Sequence, residues 1–419
     1  MIADVLIKNA SELVTVRGAR GGPKTKQGMQ DLGIIRNGAV AIEGAEIVAV
    51  GDTDEVLATI KQARTVIDAT DRTVLPGFVD CHTHLVFGGS REDEFIQKIE
   101  GRSYLEIMQR NGGLFSTVEK TREALAFPRA LMKRAQAFLD KMLAFGTTTA
   151  EIKTGYGLST ESEFGLLNII AGLKESQPVD IVSTFLGAHA FPKEYKERKA
   201  DYIQLVLGML ERVKAEGLAE YCDVFVEVGA FSPSEARTIL EQAKKQGLKL
   251  KLHAGEFNDI GGAELGAELG AVSIDHLDYI SERGMELMAE KKTVGVLLPG
   301  VPFHLMTNKY APARKLIEAG VPIALATDFN PGSCPTLSMQ MIIALACRQL
   351  KMTPAEAINA ATINAAYALD RGDKVGSIEV GKKADIIVLD IPRHQQLPYW
   401  FGVNTVAKVV KNGVITYPP

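Results

Sequence analysis

The sequence predicts an α/β fold: a (β/α)8 TIM-type barrel with a small β-sandwich domain built from both chain termini. Three observations predict it. Strand-length apolar runs alternate with longer amphipathic segments through the middle of the chain. These central runs number eight, the barrel count. Both flanks instead carry short alternating strands punctuated by Gly and Asn, with no helical period.

In chain order, the N-terminal flank reads ADVLIKNASELVTV, LGIIRNGAVAIEGAEIVAVG and ARTVIDATDRTVLPG. The expected barrel strands follow as TVLPGFVDCH, GTTTAEIK, VDIVSTFLGAH, YCDVFVEVG, LKLKLH, AVSIDH, KTVGVLLP and VPIALATD. Between them lie PRALMKRAQAFLDKML, KADYIQLVLGMLERVKAEG and PSEARTILEQAKKQG, with apolar residues at helical spacing. The C-terminal flank returns to strands in VGSIEVGKKADIIVLDI and VNTVAKVVKNGVITYPP. The expected division is residues 1–72 and 371–419 for the sandwich and 73–370 for the barrel.

Composition narrows the class. The chain has 419 residues, 46% hydrophobic and 23% charged, ordinary for a globular enzyme with a sizeable core. A net charge of −4 gives no reason to expect a nucleic acid or an anionic membrane as partner. Cys81, Cys222, Cys334 and Cys347 form no CxxC pair, which argues against disulfides and thiolate zinc and suits a reducing compartment. MIADVLIKNA lacks a basic segment followed by an apolar one, so no signal peptide is expected. No apolar run is long enough to span a bilayer. A cytoplasmic protein is expected.

The strand ends carry the chemistry. Most of the eight runs close in a residue that binds metal or moves a proton: His82, Lys153, His189, Glu227, His253, His276 and Asp328. Active sites of such barrels lie at the C-terminal ends of the strands, so these side chains would converge on one mouth. A single histidine there is more often structural than a ligand. Five of the chain's seven histidines fall at these positions, counting His84, and that concentration argues for a site.

His82 and His84 are two residues apart, so on an extended strand both rings face one way. HxH alone is a weak signal. It gains weight from the apolar strand ending in Asp80 before it, from His253 as a third nitrogen and from Asp328 as a carboxylate. Three imidazoles and a carboxylate suit one Zn²⁺ or Fe²⁺/Fe³⁺, with a position left for water. Such an ion brings water's pKa toward neutrality and polarises the bond under attack.

LPGFVDCHTHL, the later His253 and His276, the TD of ALATDFNPGS and the C-terminal VGSIEVGKKADIIVLD together resemble the amidohydrolase superfamily, over nearly the whole chain. The resemblance implies a barrel with one or two metals and hydrolysis at a carbon bearing nitrogen or oxygen. Two-metal members bridge their ions with a carboxylated lysine from a later strand. Lys153 falls on the second strand of the count, so a single metal is favoured and Lys153 becomes a supporting or structural charge.

A finer set of matches, HTHLVFGGSREDEF, GGLFSTVEKTREA, EIKTGYGL, FLGAHAFPKEY, LHAGEF, SIDHLDY and ATDFNPGSCPT, resembles the imidazolonepropionase family of histidine degradation. That resemblance implies a small-molecule substrate, 4-imidazolone-5-propanoate, opened by water to N-formimidoyl-L-glutamate, and a homodimer. Arg91, on the loop after the metal histidines, is placed to grip the propionate, or to sit solvated beside Glu92 and Asp93. Tyr156 and His189 would bind the ring oxygen or amide, unless each is a buried residue with an internal hydrogen bond.

Glu256, three residues after His253, can move a proton without binding the metal, or can serve as a carboxylate at a helix start. His276 would donate a proton to, or stabilise, the developing oxyanion. Asp328 would combine ligation with accepting the water's proton, a task that could also fall to His276. Asn330, Gly332 and Ser333 would hold a second carboxyl or amide, or form an ordinary Asn-Pro-Gly turn. Spacing leaves open whether water attacks the ring carbonyl or the amidine carbon.

Two other functions compete. An aminohydrolase deaminating a purine, pyrimidine or triazine would share His82, His84, His253, His276 and Asp328, but would have less use for Arg91. A non-catalytic scaffold of enzyme ancestry would have lost metal ligands that this chain keeps.

Overall fold

The computed structural model describes residues 2–17, 21–101 and 112–418. Strands numbered in chain order form three sheets. One terminal sheet has the order β5-β4-β1-β6, from β1 (Ile2–Ala10), β4 (Gly38–Glu43), β5 (Glu46–Asp52) and β6 (Gln62–Asp68). The other has the order β18-β17-β16-β7-β2-β3. It joins β2 (Glu12–Val14), β3 (Ile34–Ile35) and β7 (Thr73–Pro76) to β16 (Ile386–Leu389), β17 (Val406–Lys411) and β18 (Val414–Tyr417). The chain ends meet where β7 runs antiparallel to β16, Thr73 opposite Leu389 and Pro76 opposite Ile386. Val5, Ile7, Val40 and Ile42 of the first sheet pack with Val74, Ile386, Val388 and Val410 of the second into one apolar layer. Period-2 alternation supplies this inner face.

The third sheet is the barrel. It runs in sequence order through β8 (Phe78–Asp80), β9 (Thr147–Lys153), β10 (Asp180–Ala188), β11 (Tyr221–Val226), β12 (Lys249–Ala254), β13 (Ser273–His276), β14 (Val294–Leu297) and β15 (Ile323–Leu325). Every adjacent pair is parallel. A parallel bridge between Thr83 and Phe329 closes the circle just past β8 and β15. There Asp328 N donates to His82 O (3.0 Å) and His84 N donates to Phe329 O (2.9 Å).

The first expected strand proves to be two. TVLPGFVDCH breaks at Gly77, so Thr73–Pro76 belongs to the terminal sheet and Phe78–Asp80 to the barrel. Residues 73–80 are all buried, so no alternation marks the change of sheet. A Cβ at Gly77 would collide with the Thr148 side chain, which explains the glycine at the crossing.

Outer helices cover the barrel strands. Pro233–Lys245 is representative: Pro233 occupies its first turn, and Ser232 and Glu235 form a reciprocal capping box. Its buried residues Ala236, Ile239, Leu240 and Ala243 recur at i, i+3, i+4 and i+7, one stripe toward the sheet. Among the described residues, no helix is long and apolar enough to cross a membrane.

Candidate active site

Strand alternation builds the cluster. In KLKLHA of β12, Leu250 and Leu252 pack into the main apolar core, while the alternate residues Lys251 and His253 make their contacts with polar groups of the barrel interior. His82 and His84 follow β8, His276 ends β13, and Asp328 lies three residues past β15. All five are buried.

His84 Nε2 lies 3.3 Å from both His82 Nε2 and His253 Nε2. Asp328 Oδ1 lies 3.3 Å from His82 Nε2 and 3.5 Å from His84 Nε2. Ligand atoms in a tetrahedral shell around one Zn²⁺ stand roughly 3.3–3.4 Å apart, which follows from metal–ligand bonds of about 2.0–2.1 Å. The protonation pattern agrees. His82 Nδ1 donates to Asp275 Oδ2 (2.6 Å) and His253 Nδ1 donates to Asp223 Oδ1 (3.0 Å), leaving both Nε2 atoms as lone pairs. Asp328 Oδ1 is buried without a hydrogen-bond partner. The two ring lone pairs and the carboxylate oxygen crowd around His84 Nε2 and repel one another unless a cation sits between. The residues therefore fit a metal ion. Burial, reinforced by nearby positive charges, also holds His82, His84 and His253 well below the ordinary imidazole pKa, the neutral form that ligation needs.

Lys153 lies beneath this cluster, as a supporting charge. Its Nζ contacts Asp223 Oδ2 at 2.7 Å, Glu151 Oε1 at 3.1 Å and Asp275 Oδ2 at 3.3 Å.

One pocket opens above the cluster and holds the remaining candidates. Arg91 is not paired with Glu92 or Asp93. Its Nε and Nη2 both donate to Glu94 Oε2, at 2.9 and 2.8 Å, and Glu94 Oε1 accepts from Gly113 N at 3.0 Å. Its Nη1 lies against Gly332, where a Cβ would overlap it. Lys98, one helical turn beyond Glu94, adds a second cation to the pocket wall. Burial, and then Arg91, lower its pKa to about 8.

His189 stacks on His84, ring centroids 5.1 Å apart, and donates from Nδ1 to Gly155 O (3.0 Å). Its Nε2 is then the ring's acceptor. Tyr156 packs 5.5 Å from His189 and 5.6 Å from His84. Glu163 braces the Tyr156 loop by accepting from Gly155 N, Gly157 N and Leu158 N.

Glu256 Oε2 approaches His276 Nε2 at 3.6 Å. Burial, joined by Asp328, Asp278 and Glu227, raises the Glu256 carboxyl well above its usual range. Glu227 anchors the following loop, accepting from Phe257 N (2.9 Å) and Asn258 N (3.1 Å). Neither ring nitrogen of His276 has a hydrogen-bond partner, and burial lowers its pKa to about 4. Asn330 organises its own turn: Oδ1 accepts from Gly332 N and Ser333 N at 2.8 Å, and Nδ2 donates to Asp328 O and Ser333 Oγ at 2.7 Å. Ser333 Oγ in turn reaches Asp328 Oδ2 at 3.4 Å.

Against this geometry, the model of the amidohydrolase family matches residues 73–416. The chain belongs to the amidohydrolase family. Within it, an imidazolonepropionase from Alkaliphilus oremlandii (strain OhILAs) is 50% identical over 418 residues, covering 99% of this chain and 98% of its own. Another, from Geobacillus kaustophilus (strain HTA426), is 49% identical over 415 residues, covering 98% and 97%. These relatives place the chain on the imidazolonepropionase branch. The solved structure of a zinc-bound adenosine deaminase from Xanthomonas campestris superposes with a TM-score of 0.74 at 20% identity, over 99% of this chain and 93% of that one. That likeness shows the shared fold.

A metal cofactor and a small-molecule substrate go with this amidohydrolase's family and cluster. Sequence reasoning missed Asp223, Asp275, Glu151 and Lys98. For the first three a signal existed: a carboxylate inside a strand run, as in YCDVFV, SIDH and TTTAEIK, is a charge that burial leaves in need of a partner. Lys98 carried none, because a lysine on an amphipathic helix reads as a solvated face.

Proposed function

We propose that this chain hydrolyses the ring C–N bond of 4-imidazolone-5-propanoate to N-formimidoyl-L-glutamate. The observation that carries the reading is the layout of one pocket: His84, His253 and Asp328 line it, with His82 buried against them, and Arg91 lies in its wall. Imidazolonepropionase relatives 49–50% identical over 98–99% of the chain support the same substrate.

His82, His84, His253 and Asp328 would hold one ion, Zn²⁺ or Fe²⁺/Fe³⁺ by donor type. When bound, the ion acidifies water and polarises the carbonyl under attack. The product decides which carbon receives the water. Its α-carboxylate derives from the ring carbonyl and its formimidoyl group stays on the α-nitrogen, so oxygen adds at the carbonyl carbon. Attack at the amidine carbon would leave a formyl group instead. The bond from carbonyl carbon to ring nitrogen then breaks, and that nitrogen needs a proton.

Asp328 accepts the proton of the attacking water. Glu256, beside His276, delivers one to the departing nitrogen. His276 stabilises the developing oxyanion. Arg91 binds the propionate through the guanidinium edge left free by Glu94, and Lys98 adds charge beside it. Tyr156 and the acceptor nitrogen of His189 hold the ring. Asn330 shapes the turn that sets Gly332 and Ser333 against the substrate's carboxyl end. A cytoplasmic homodimer belongs to the same reading, and sedimentation of the purified protein tests the dimer.

The test is a substrate panel. Loss of imidazolonepropionate absorbance without ammonia release supports ring opening. Ammonia from a purine, pyrimidine or triazine, with imidazolonepropionate untouched, would overturn it.

A further inference from the structure

Lys153 takes no part in the chemistry above, yet it is fully buried under the metal cluster. Its ammonium has three hydrogens and three carboxylates around it: Asp223 at 2.7 Å, Glu151 at 3.1 Å and Asp275 at 3.3 Å. Two of these carboxylates have a second duty. Asp223 receives His253 Nδ1 through its other oxygen, and Asp275 receives His82 Nδ1 through the same Oδ2 that faces Lys153. One ammonium therefore grips both groups that orient two of the metal histidines.

We propose that Lys153 is a positioning residue for the metal centre, locking Asp223 and Asp275 so that His82 and His253 present their Nε2 atoms to a single ion. Without the ammonium, two buried carboxylates in one small space repel, and each can swing away with its histidine. Outer partners of metal histidines set ring orientation and ligand basicity, and their loss typically weakens metal binding by about 10–100-fold. The same contacts explain why Lys153 cannot bridge two ions: a carboxylated lysine forms from a free amine, and this one is held as an ammonium by three carboxylates.

Lys251 is the internal control. It is equally buried and donates to Glu151 Oε2 (3.0 Å) and Cys81 O (3.2 Å), but to neither carboxylate that holds a histidine. It shares the charged interior without the positioning contacts.

This inference rests on the metal site proposed above, and the experiment separates the two. Purified metal-loaded parent, Lys153→Met and Lys251→Met proteins are challenged with EDTA while metal release is timed, with circular dichroism recording the fold. The expected result is release at least tenfold faster from Lys153→Met, and within about threefold of the parent from Lys251→Met. Lys153→Gln, which keeps a neutral N–H donor group but loses the charge, covers the case where the methionine variant does not fold, and should fall between parent and Lys153→Met or, alone, release metal faster than the parent. Parent-like retention by the folded position-153 variants overturns the positioning role, as does equal loss from Lys251→Met. A parent that never holds metal overturns the metal site instead.

Discussion

His82 Nε2 and Asp328 Oδ1 lie 3.3 Å apart, although one follows the first barrel strand and the other the last. The backbone closes at the same place, with Asp328 N on His82 O and His84 N on Phe329 O. The metal cluster thus straddles the seam where the sheet becomes a barrel.

Metal removal should therefore destabilise the barrel as well as silence it. A ligand at about 1,000 times its Kd adds roughly 4 kcal/mol to the folded state. Dialysis against chelator should lower the melting temperature by several degrees, and returning Zn²⁺ or Fe²⁺ should restore it. Scanning calorimetry with unchanged melting after verified metal loss would refute a clamp across the seam.

Gly332 should discriminate binding from folding. An alanine Cβ there overlaps Arg91 Nη1, the movable end of a side chain, and the glycine is not in the left-handed region. Gly332→Ala is expected to melt like the parent while KM rises about tenfold or more, and Arg91→Met should raise KM at least as much. The figure follows from losing a charge-assisted hydrogen bond worth about 1.5–3 kcal/mol. An unchanged KM in both would detach Arg91 from the substrate.

Lys98 gives a pH signature. Its pKa is lowered to about 8 by burial and then by Arg91, with Glu94 opposing; among the described residues His304 is a further titratable neighbour. A lysine with a depressed pKa is charged below that value and neutral above it. KM for a carboxylate substrate should therefore rise as pH climbs through about 8, with kcat less affected. Lys98→Met should show the high-pH KM at every pH, which initial-rate kinetics from pH 6.5 to 9 will decide.

Glu256→Gln keeps the shape of the side chain and removes its proton transfer. With metal content unchanged, kcat should fall by roughly 10²–10⁴-fold. Full kcat at full metal occupancy would take Glu256 out of the proton path.

The fold was readable because two periods are visible in the letters: helical stripes such as Ala236, Ile239, Leu240 and Ala243, and apolar runs that end in functional residues. That His82, His84, His253 and Asp328 would come together was readable for the same reason, since strand ends in a barrel share one mouth. The break at Gly77 was not, because a fully buried run gives no alternation to mark a change of sheet. Arg91's true partner was hidden too. Glu92, Asp93 and Glu94 are adjacent in sequence, and only the helix from Glu92 to Ile99 turns Glu94 inward. Links such as His82 to Asp275 and His253 to Asp223 join residues far apart in sequence, and only barrel closure brings them into contact.

The most direct test is the mass spectrum of the product formed from imidazolonepropionate by the metal-loaded protein in ¹⁸O-water. Ring opening at the carbonyl gives N-formimidoylglutamate carrying one ¹⁸O in its α-carboxylate, with no ammonia released. Unchanged substrate, or label found in a formyl group, would contradict the assigned reaction.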